Sequence, residues 1–511
     1  MKNLIFNIII RILNIGFVKK SRLYAIASIY FKKTKELRSL KEKVNFLFYA
    51  FFHLRLYSAK TKASAIYKLA KGIRIHTDDD LFFYSIDTFA YLFNKGKVID
   101  NCSLDYSEIL SKSLNDFYIT EHSKHKFVIE NNKTVDAINL YLNRCINQIK
   151  QSSIKNKDNI ISYLQEILTG EASCFASALQ RILFFNQFMW QTGHNLVGLN
   201  RLDFILDKYI DKQMTDDDLF NYLKSFCTVL HKYYWFKSAA LMGDTGQIII
   251  LGGKDANSNY FENRLTHIFI KVIKELNLPD PKILLRVSKE TPENLWKEAL
   301  DCVSTGVGSP LFSNDDVIIP ALLQFGYQEK DATNYITSAC WEPIPAECYE
   351  QNNLFDIFYI EPLNQLIKTE SFENIKTFDE LMNGYFDLLE SQIKETEKKL
   401  DAINWEQDPL LSMFNTSCRE ALTDVAEGGA KYNNFGILSV SLANTVNSLL
   451  NIEELVFKKN KYTLSDVKQC CLNNFNDRDD ILLTLKNKEK YFGRNEIEIQ
   501  NFTNRILSKI N

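Results

Sequence analysis

The residues best suited to chemistry lie in Thr337-Ser-Ala-Cys340-Trp-Glu342-Pro-Ile-Pro-Ala346. Cys340 and Glu342 are two positions apart, so an extended backbone turns both side chains to the same side. Pro343 and Pro345 fix φ at two nearby positions and exclude a helix, which makes the tip a stiff loop. A thiol beside a carboxylate can be a nucleophile with a base, a metal pair, or a hydrogen-atom carrier with a base. A nucleophilic Cys wants a cation or a helix N-terminus to lower its pKa; no His is close in sequence, and an adjacent Glu raises it. A raised thiol pKa keeps the S–H bond intact, which suits homolytic chemistry. From the residue types alone, a buried Cys beside an exposed Glu with no chemistry stays open as well.

The elements that must hold this loop can be read on either side of it. From residue 22 to about 240 the pattern is helical, with apolar residues at three- and four-residue steps in Val44 to Leu56 and Ile160 to Leu168. Strand signals follow: Gln247 to Leu251 ends in Gly252-Gly253, and Lys282 to Val287 follows the Pro279-Asp-Pro281 break. Phe261 to Leu276 between them reads as a helix, and so does Pro292 to Val303, with Thr291 as its cap. After Asn434 an apolar run, Phe435 to Leu442, leads into a helix ending near Phe457. Strand and helix in alternation predict βαβ units and a parallel sheet. The expected fold is α/β, a helical N-terminal half leading into an α/β body, with no internal repeat and no clear linker.

Composition narrows the function classes. The 511 residues carry 61 basic and 63 acidic side chains, a net charge of −2, so no bulk charge favours nucleic acid or an anionic membrane. The 10 Cys show no C-x-x-C pair and no regular spacing, which argues against a metal site or a disulfide framework and fits a reducing cytoplasm. Leu4 to Val18 is apolar but broken by Asn7, Arg11 and Asn14 at helical spacing, and is shorter than the ~20 residues a span requires. It is expected to be an amphipathic helix packed on the protein or a partner, with an interfacial membrane helix as the alternative, and neither a secretory signal nor a membrane span is expected.

The sequence around the loop resembles the glycyl radical enzymes of the pyruvate formate-lyase type. The residues that carry the likeness are Gly308-Ser-Pro310 through Asn314-Asp315 to Pro320, then Gly326, Asp331-Ala332, Tyr335 and Ala339-Cys340-Trp-Glu342-Pro343. It extends upstream to Ala172 to Gln180, Asn200-Arg-Leu-Asp203, Gly252-Gly253 with Asn263, and Leu285-Arg286-Val287. Downstream it includes Asp408-Pro-Leu-Leu-Ser412, Gly428 to Asn433, Asn444 to Leu449, Asn474-Phe475 and Tyr491 to Asn495. These matches run in order over roughly residues 165 to 500. Residues 1–160 are therefore taken as a divergent helical region and residues 161–511 as the barrel domain.

The resemblance implies an α/β barrel of the glycyl radical enzyme type with an N-terminal helical layer, completed by a partner chain. Cys-x-Glu-Pro is the form seen in the eliminase branch of diol dehydratases and related C–O, C–N and C–S lyases, and arylacetate decarboxylases share it. In that branch a thiyl radical on Cys340 takes hydrogen from a small hydroxylated substrate. Glu342 removes the hydroxyl proton, and Asp356, matched across a two-residue gap, is the second carboxylate. His125 (or His122) matches a His ahead of the family's pocket, and Arg201, Asp203 and Asn263 are expected to contact substrate.

The family's radical glycine sits in an Arg-Val-x-Gly-Tyr sequence that these 511 residues do not contain. Trp341, Ser288 and Asn200 also depart from the family pattern. The reading is a large, cysteine-bearing subunit of a split lyase that takes its glycyl radical in trans from a small protein. That radical is installed by an S-adenosylmethionine-dependent [4Fe-4S] activating enzyme. A homo- or hetero-oligomer is allowed, and neither nucleic acid nor membrane is expected as a partner. A decarboxylase or acyltransferase of the same family, or an inactive scaffold, are the alternatives.

Overall fold

The computed structural model describes residues 59–509 apart from 74, 76, 78–81, 87–95, 98–100, 195, 235–246, 338–341, 346–347, 477, 487–490 and 495. The N-terminal amphipathic segment and the helix read at Val44 to Leu56 lie outside these residues.

Helix α1 (Lys62–Gly72) packs on α2 (Lys126–Lys150), followed by α3 (Lys157–Thr169), α4 (Phe175–Gln191) and α5 (Asp216–Tyr234). Every residue of α4 is buried, so this helix is central and its polar side chains need partners. Gln180 supplies them by mimicking a strand neighbour: its Oε1 accepts from the Tyr84 amide at 2.7 Å and its Nε2 donates to the Tyr84 carbonyl at 2.9 Å. The helical layer expected before the sheet is present, and its core is continuous with that of the sheet across residue 160.

The first five strands, two of them interleaved with these helices, are parallel. β1 (Asn101–Ser103) pairs with β2 (Leu196–Gly198), and β3 (Ile248–Gly252), β4 (Lys282–Val287) and β5 (Leu311–Asn314) form a second ladder in that order. Residues just after β2 join the two ladders. The Leu199 amide donates to the Ile248 carbonyl at 2.8 Å, the Ile250 amide to the Asn200 carbonyl at 3.0 Å, and Arg201 bridges Ile250 in parallel. The crossovers are α6 (Arg264–Leu276) between β3 and β4 and α7 (Glu293–Val303) between β4 and β5; α8 (Asp315–Gln324) leaves β5. These are the βαβ units read from the sequence. One cap differs: Pro292 occupies the N-cap of α7, while the Thr291 hydroxyl accepts from the Ser288 amide at 2.8 Å and closes the turn before it.

Alternation along β3 and β4 sorts the sheet into two faces. Ile249, Leu251, Ile283 and Leu285 face the helices and belong to the large core. Ile248, Ile250 and Leu284 face the other way and bury Ile336 and Ile344. Those two residues belong to a hairpin of β6 (Ile336–Thr337) and β7 (Pro343–Ile344), paired antiparallel through Ile336 with Ile344 and Thr337 with Pro343. Pro343 thus sits in a two-residue ladder rather than in a free loop tip.

Beyond β7 come β8 (Cys348–Phe358) and β9 (Tyr432–Val440), which pair with each other. Contacts divide the chain into Met1–Gln351 with Trp405–Asn434, and Asn352–Asn404 with Phe435–Asn511. The second unit has its own core around α9 (Ile360–Lys368), α10 (Phe378–Asp401), α11 (Leu442–Ile452) and α12 (Ile497–Leu507).

Candidate active site

Arg201, Asp203, Arg286 and Asp315 lie at or just beyond the C-terminal ends of the parallel strands, the end at which open and closed α/β sheets build their sites. After β3 the chain turns through Gly252, Gly253 and Lys254, and two side chains hold this turn. Asp203 accepts from the Gly252 amide at 2.7 Å and from the Thr266 hydroxyl at 2.7 Å. Arg201 donates to the carbonyls of Gly252 at 2.9 Å and Lys254 at 3.0 Å. Gly253 has φ +88, and a Cβ there would stand 2.6 Å from Cβ of Arg286, so glycine is required on both grounds.

Asn263 joins the same group. Its Oδ1 caps α6 by accepting from the Leu265 and Thr266 amides, and its Nδ2 donates to the Asp203 carbonyl at 2.9 Å and to Asp207 at 2.8 Å. The structure therefore brings together Arg201, Asp203 and Asn263, three of the residues expected from the sequence to contact substrate. It commits most of their polar atoms to the protein itself rather than to a solvent-facing pocket. Arg201 is 1% and Asp203 0% exposed. Of the Arg201 fork, Nε has no partner among the described residues. Burial and the neighbouring Arg286 lower the Arg201 guanidinium to about 10, and burial pushes the Asp203 carboxyl up against the pull of Arg201.

A second buried group, to which the sequence reading gave no role, ties the strand ends to the hairpin. Arg286 on β4 donates from Nε and Nη2 to the two oxygens of Asp315 at 2.9 and 2.8 Å, a bidentate pair with both side chains fully buried. The same guanidinium donates to the carbonyls of Thr333 at 2.8 Å and Tyr335 at 3.1 Å, and lies 3.9 Å over the Tyr335 ring. The Tyr335 hydroxyl donates to Asp315 at 2.8 Å and pairs with Ser313 at 2.7 Å. The Arg201 Nη1 reaches Asn334 Oδ1 at 3.0 Å. Asp331 accepts from Lys431 at 2.6 Å and from the Tyr432 hydroxyl at 2.8 Å. The signal was available: a charge inside the apolar run Lys282 to Val287 must be buried, and a buried charge needs a partner.

Cys340 and Trp341 lie outside the described residues, within the connection from Thr337 to Pro343. Glu342, on the β7 side of that connection, is half-buried. Asp356 is exposed on β8 in the second unit. His125 is exposed at the N-cap of α2, where its Nδ1 accepts from the Phe127 amide at 3.3 Å. It lines a cavity of about 220 Å³ with Asn131, Gln407, Asp424 and Glu427, a group that includes none of Arg201, Asp203 or Asn263.

Next to that cavity lies a buried polar cluster the sequence reading also missed. His194 Nε2 is 2.6 Å from Asp408, and Asp408 and Ser412 surround Asp424. Burial raises the Asp408 carboxyl, but the charge and hydrogen bond of His194, with the Lys62 ammonium and the Leu411 amide, together hold it below its usual range. Burial and the charge of Asp408 push Asp424 up to about 6. Among the described residues no three His, Cys, Asp or Glu side chains form a metal-binding group, and no helix is long and apolar enough to cross a membrane.

A family model described as pyruvate formate lyase-like matches residues 120–511. The chain is 23% identical over 275 residues to (2S)-3-sulfopropanediol dehydratase of Klebsiella oxytoca, which is 50% of this chain and 33% of that protein. It is 26% identical over 264 residues to trans-4-hydroxy-L-proline dehydratase of Clostridioides difficile, 48% of this chain and 34% of that one. The matches thus span about a third of the length of these relatives. Among solved structures, a glycyl radical enzyme from Archaeoglobus fulgidus superposes with a TM-score of 0.78 at 17% identity, covering 90% of this chain and 76% of that one, a likeness of fold. With the match running over residues 120–511 and the same architecture in that structure, the chain belongs to the pyruvate formate lyase-like family of glycyl radical enzymes, built on an α/β barrel.

Proposed function

We propose that this chain is the cysteine-bearing component of a glycyl radical lyase that eliminates a leaving group from a small hydroxylated molecule. The observation that carries this reading is the Cys340-Trp-Glu342-Pro343 sequence between two short strands that pack on the face of a parallel sheet opposite its helices, in a chain of this family. A radical glycine, when engaged, supplies the unpaired electron. The Cys340 thiyl sulfur then takes a hydrogen atom from the substrate carbon bearing the hydroxyl, so an S–H bond forms as a C–H bond breaks. Glu342 removes the proton of that hydroxyl, and the group on the neighbouring carbon leaves with its bonding pair. The product radical recovers hydrogen from the Cys340 thiol, and no external oxidant or reductant is consumed.

Arg201, Asp203 and Asn263 enter this reading as the residues that hold the 252–254 turn at the rim of the site. The acid expected at Asp356 rests on the sequence match. The proposal places the radical glycine on a separate small protein activated by an S-adenosylmethionine-dependent iron–sulfur enzyme.

Reconstitution under anaerobic conditions with such a partner and activase, offering 1,2-propanediol, glycerol and related diols, tests the chemistry. Cys340→Ser is expected to abolish turnover, because an O–H bond is too strong for the relay. Glu342→Gln is expected to lower kcat by about 10²–10⁴ with KM little changed, the range for loss of a general base. Asp356→Asn in the same assay tests the second carboxylate. Normal turnover by Cys340→Ser would overturn the proposal, and a decarboxylated or acyl-transferred product would move the chain to another branch.

A further inference from the structure

Among the described residues, the hairpin on either side of Cys340 is held by a short ladder and by apolar packing. β6 and β7 share a ladder of two residues each, and a two-stranded ribbon is marginal in water even when longer. Its apolar anchorage is Ile336 and Ile344 on Ile248, Ile250 and Leu284. Apolar contact is non-directional, so it sets depth but not angle.

Direction comes from the five residues before β6. Asp331 is held by Lys431 and Tyr432, Asn334 by Arg201, and Thr333 and Tyr335 by Arg286 through their carbonyls. Ala332, between them, is buried. Arg201 follows β2, Arg286 stands on β4 and Asp315 begins α8 directly after β5, so three strand ends converge on one short segment. The guanidinium fork is planar and its donors are fixed in direction, so it accepts a single arrangement of its acceptors, whereas a lysine would not. A buried ion pair adds little net stability over apolar packing of the same volume. What the pair adds here is orientation.

We propose that Arg286, Asp315 and Tyr335 are positioning residues, which fix the base of the β6–β7 hairpin and through it the delivery of Cys340 and Glu342 to substrate. The catalytic half of this proposal rests on the lyase reading above; the anchoring half does not. Hydrogen-exchange mass spectrometry on the full chain separates the two. In Asp315→Asn, and more mildly in Tyr335→Phe, amides of residues 333–345 are expected to exchange about tenfold faster or more, with those of β3 and β4 unchanged. Tyr335→Phe keeps the ring over the guanidinium and loses only the hydroxyl, so it gives the reading if Asp315→Asn fails to fold. Unchanged exchange over 333–345 in a folded variant would overturn the anchoring, as would equal acceleration in β3 and β4.

In the reconstituted enzyme Tyr335→Phe is expected to lower kcat about tenfold or more with KM unchanged, as misplacement of a reacting group does. A kcat equal to wild type, alongside accelerated exchange, would overturn the catalytic half. Absence of turnover by wild type with every substrate would count against the lyase reading and leave the exchange result standing.

Discussion

The neighbouring buried carboxylates Asp408 and Asp424 part according to what faces each. Asp408 has the His194 ring at 2.6 Å and is held low; Asp424 faces Asp408 and is pushed up to about 6. A carboxyl that titrates near 6 when folded and near 3.9 when unfolded binds more protons in the native state between those values. Its contribution to stability is complete below about pH 4 and is lost as pH rises through 6. Asp424→Asn removes that dependence while leaving Asp408 in place. The melting-temperature advantage of wild type over Asp424→Asn is therefore expected to shrink between pH 4 and pH 7; an advantage that grows over this range would contradict the assignment. None of this pairing was legible in the sequence, because His194 and Asp408 are 214 residues apart and the motif that begins at Asp408 does not point to His194. Of the thiols described, Cys102, Cys145, Cys227, Cys302, Cys418 and Cys470 are buried, while Cys174 and Cys471 are exposed.

Among the elements, long apolar periodicity translated well. The strand read at Lys282 to Val287 is β4 with those bounds, and the helix read at Phe261 to Leu276 is α6 with its start moved to Arg264 by the Asn263 cap. Three-residue strands such as β1 and β2 carry too few alternations to be read, and their pairing depends on neighbours far along the chain. The hairpin was read as a stiff loop because two prolines forbid a helix, but Pro343 donates no amide and is tolerated in a two-stranded edge ladder. Two substitutions probe this scale. Asn263→Ala removes a capping box and two further hydrogen bonds, and is expected to cost about 1–2 kcal/mol in denaturant titration. Gly253→Ala drives a methyl into Arg286 at positive φ and is expected to cost more, because it strains the turn and displaces the buried ion pair. A Gly253→Ala protein as stable as wild type would mean that the turn has room which the distances deny.

At the scale of the whole molecule, family and architecture were legible, since motifs spread over some 330 residues kept their order and the sheet they imply is present. The division of the chain into two contact units was not legible, because both units are interleaved in sequence and no change of composition marks residues 352, 405 or 435. The proposed lyase shares its hydrogen relay between Cys340 on this chain and a glycine carried by another polypeptide. Electron paramagnetic resonance of the anaerobically activated mixture tests it most directly, using partner and chain labelled in turn with [2-¹³C]glycine. A glycyl doublet is expected whose lines split further when the partner is labelled and stay unchanged when this chain is labelled. Additional splitting from the labelled 511-residue chain would place the radical here and contradict the claim.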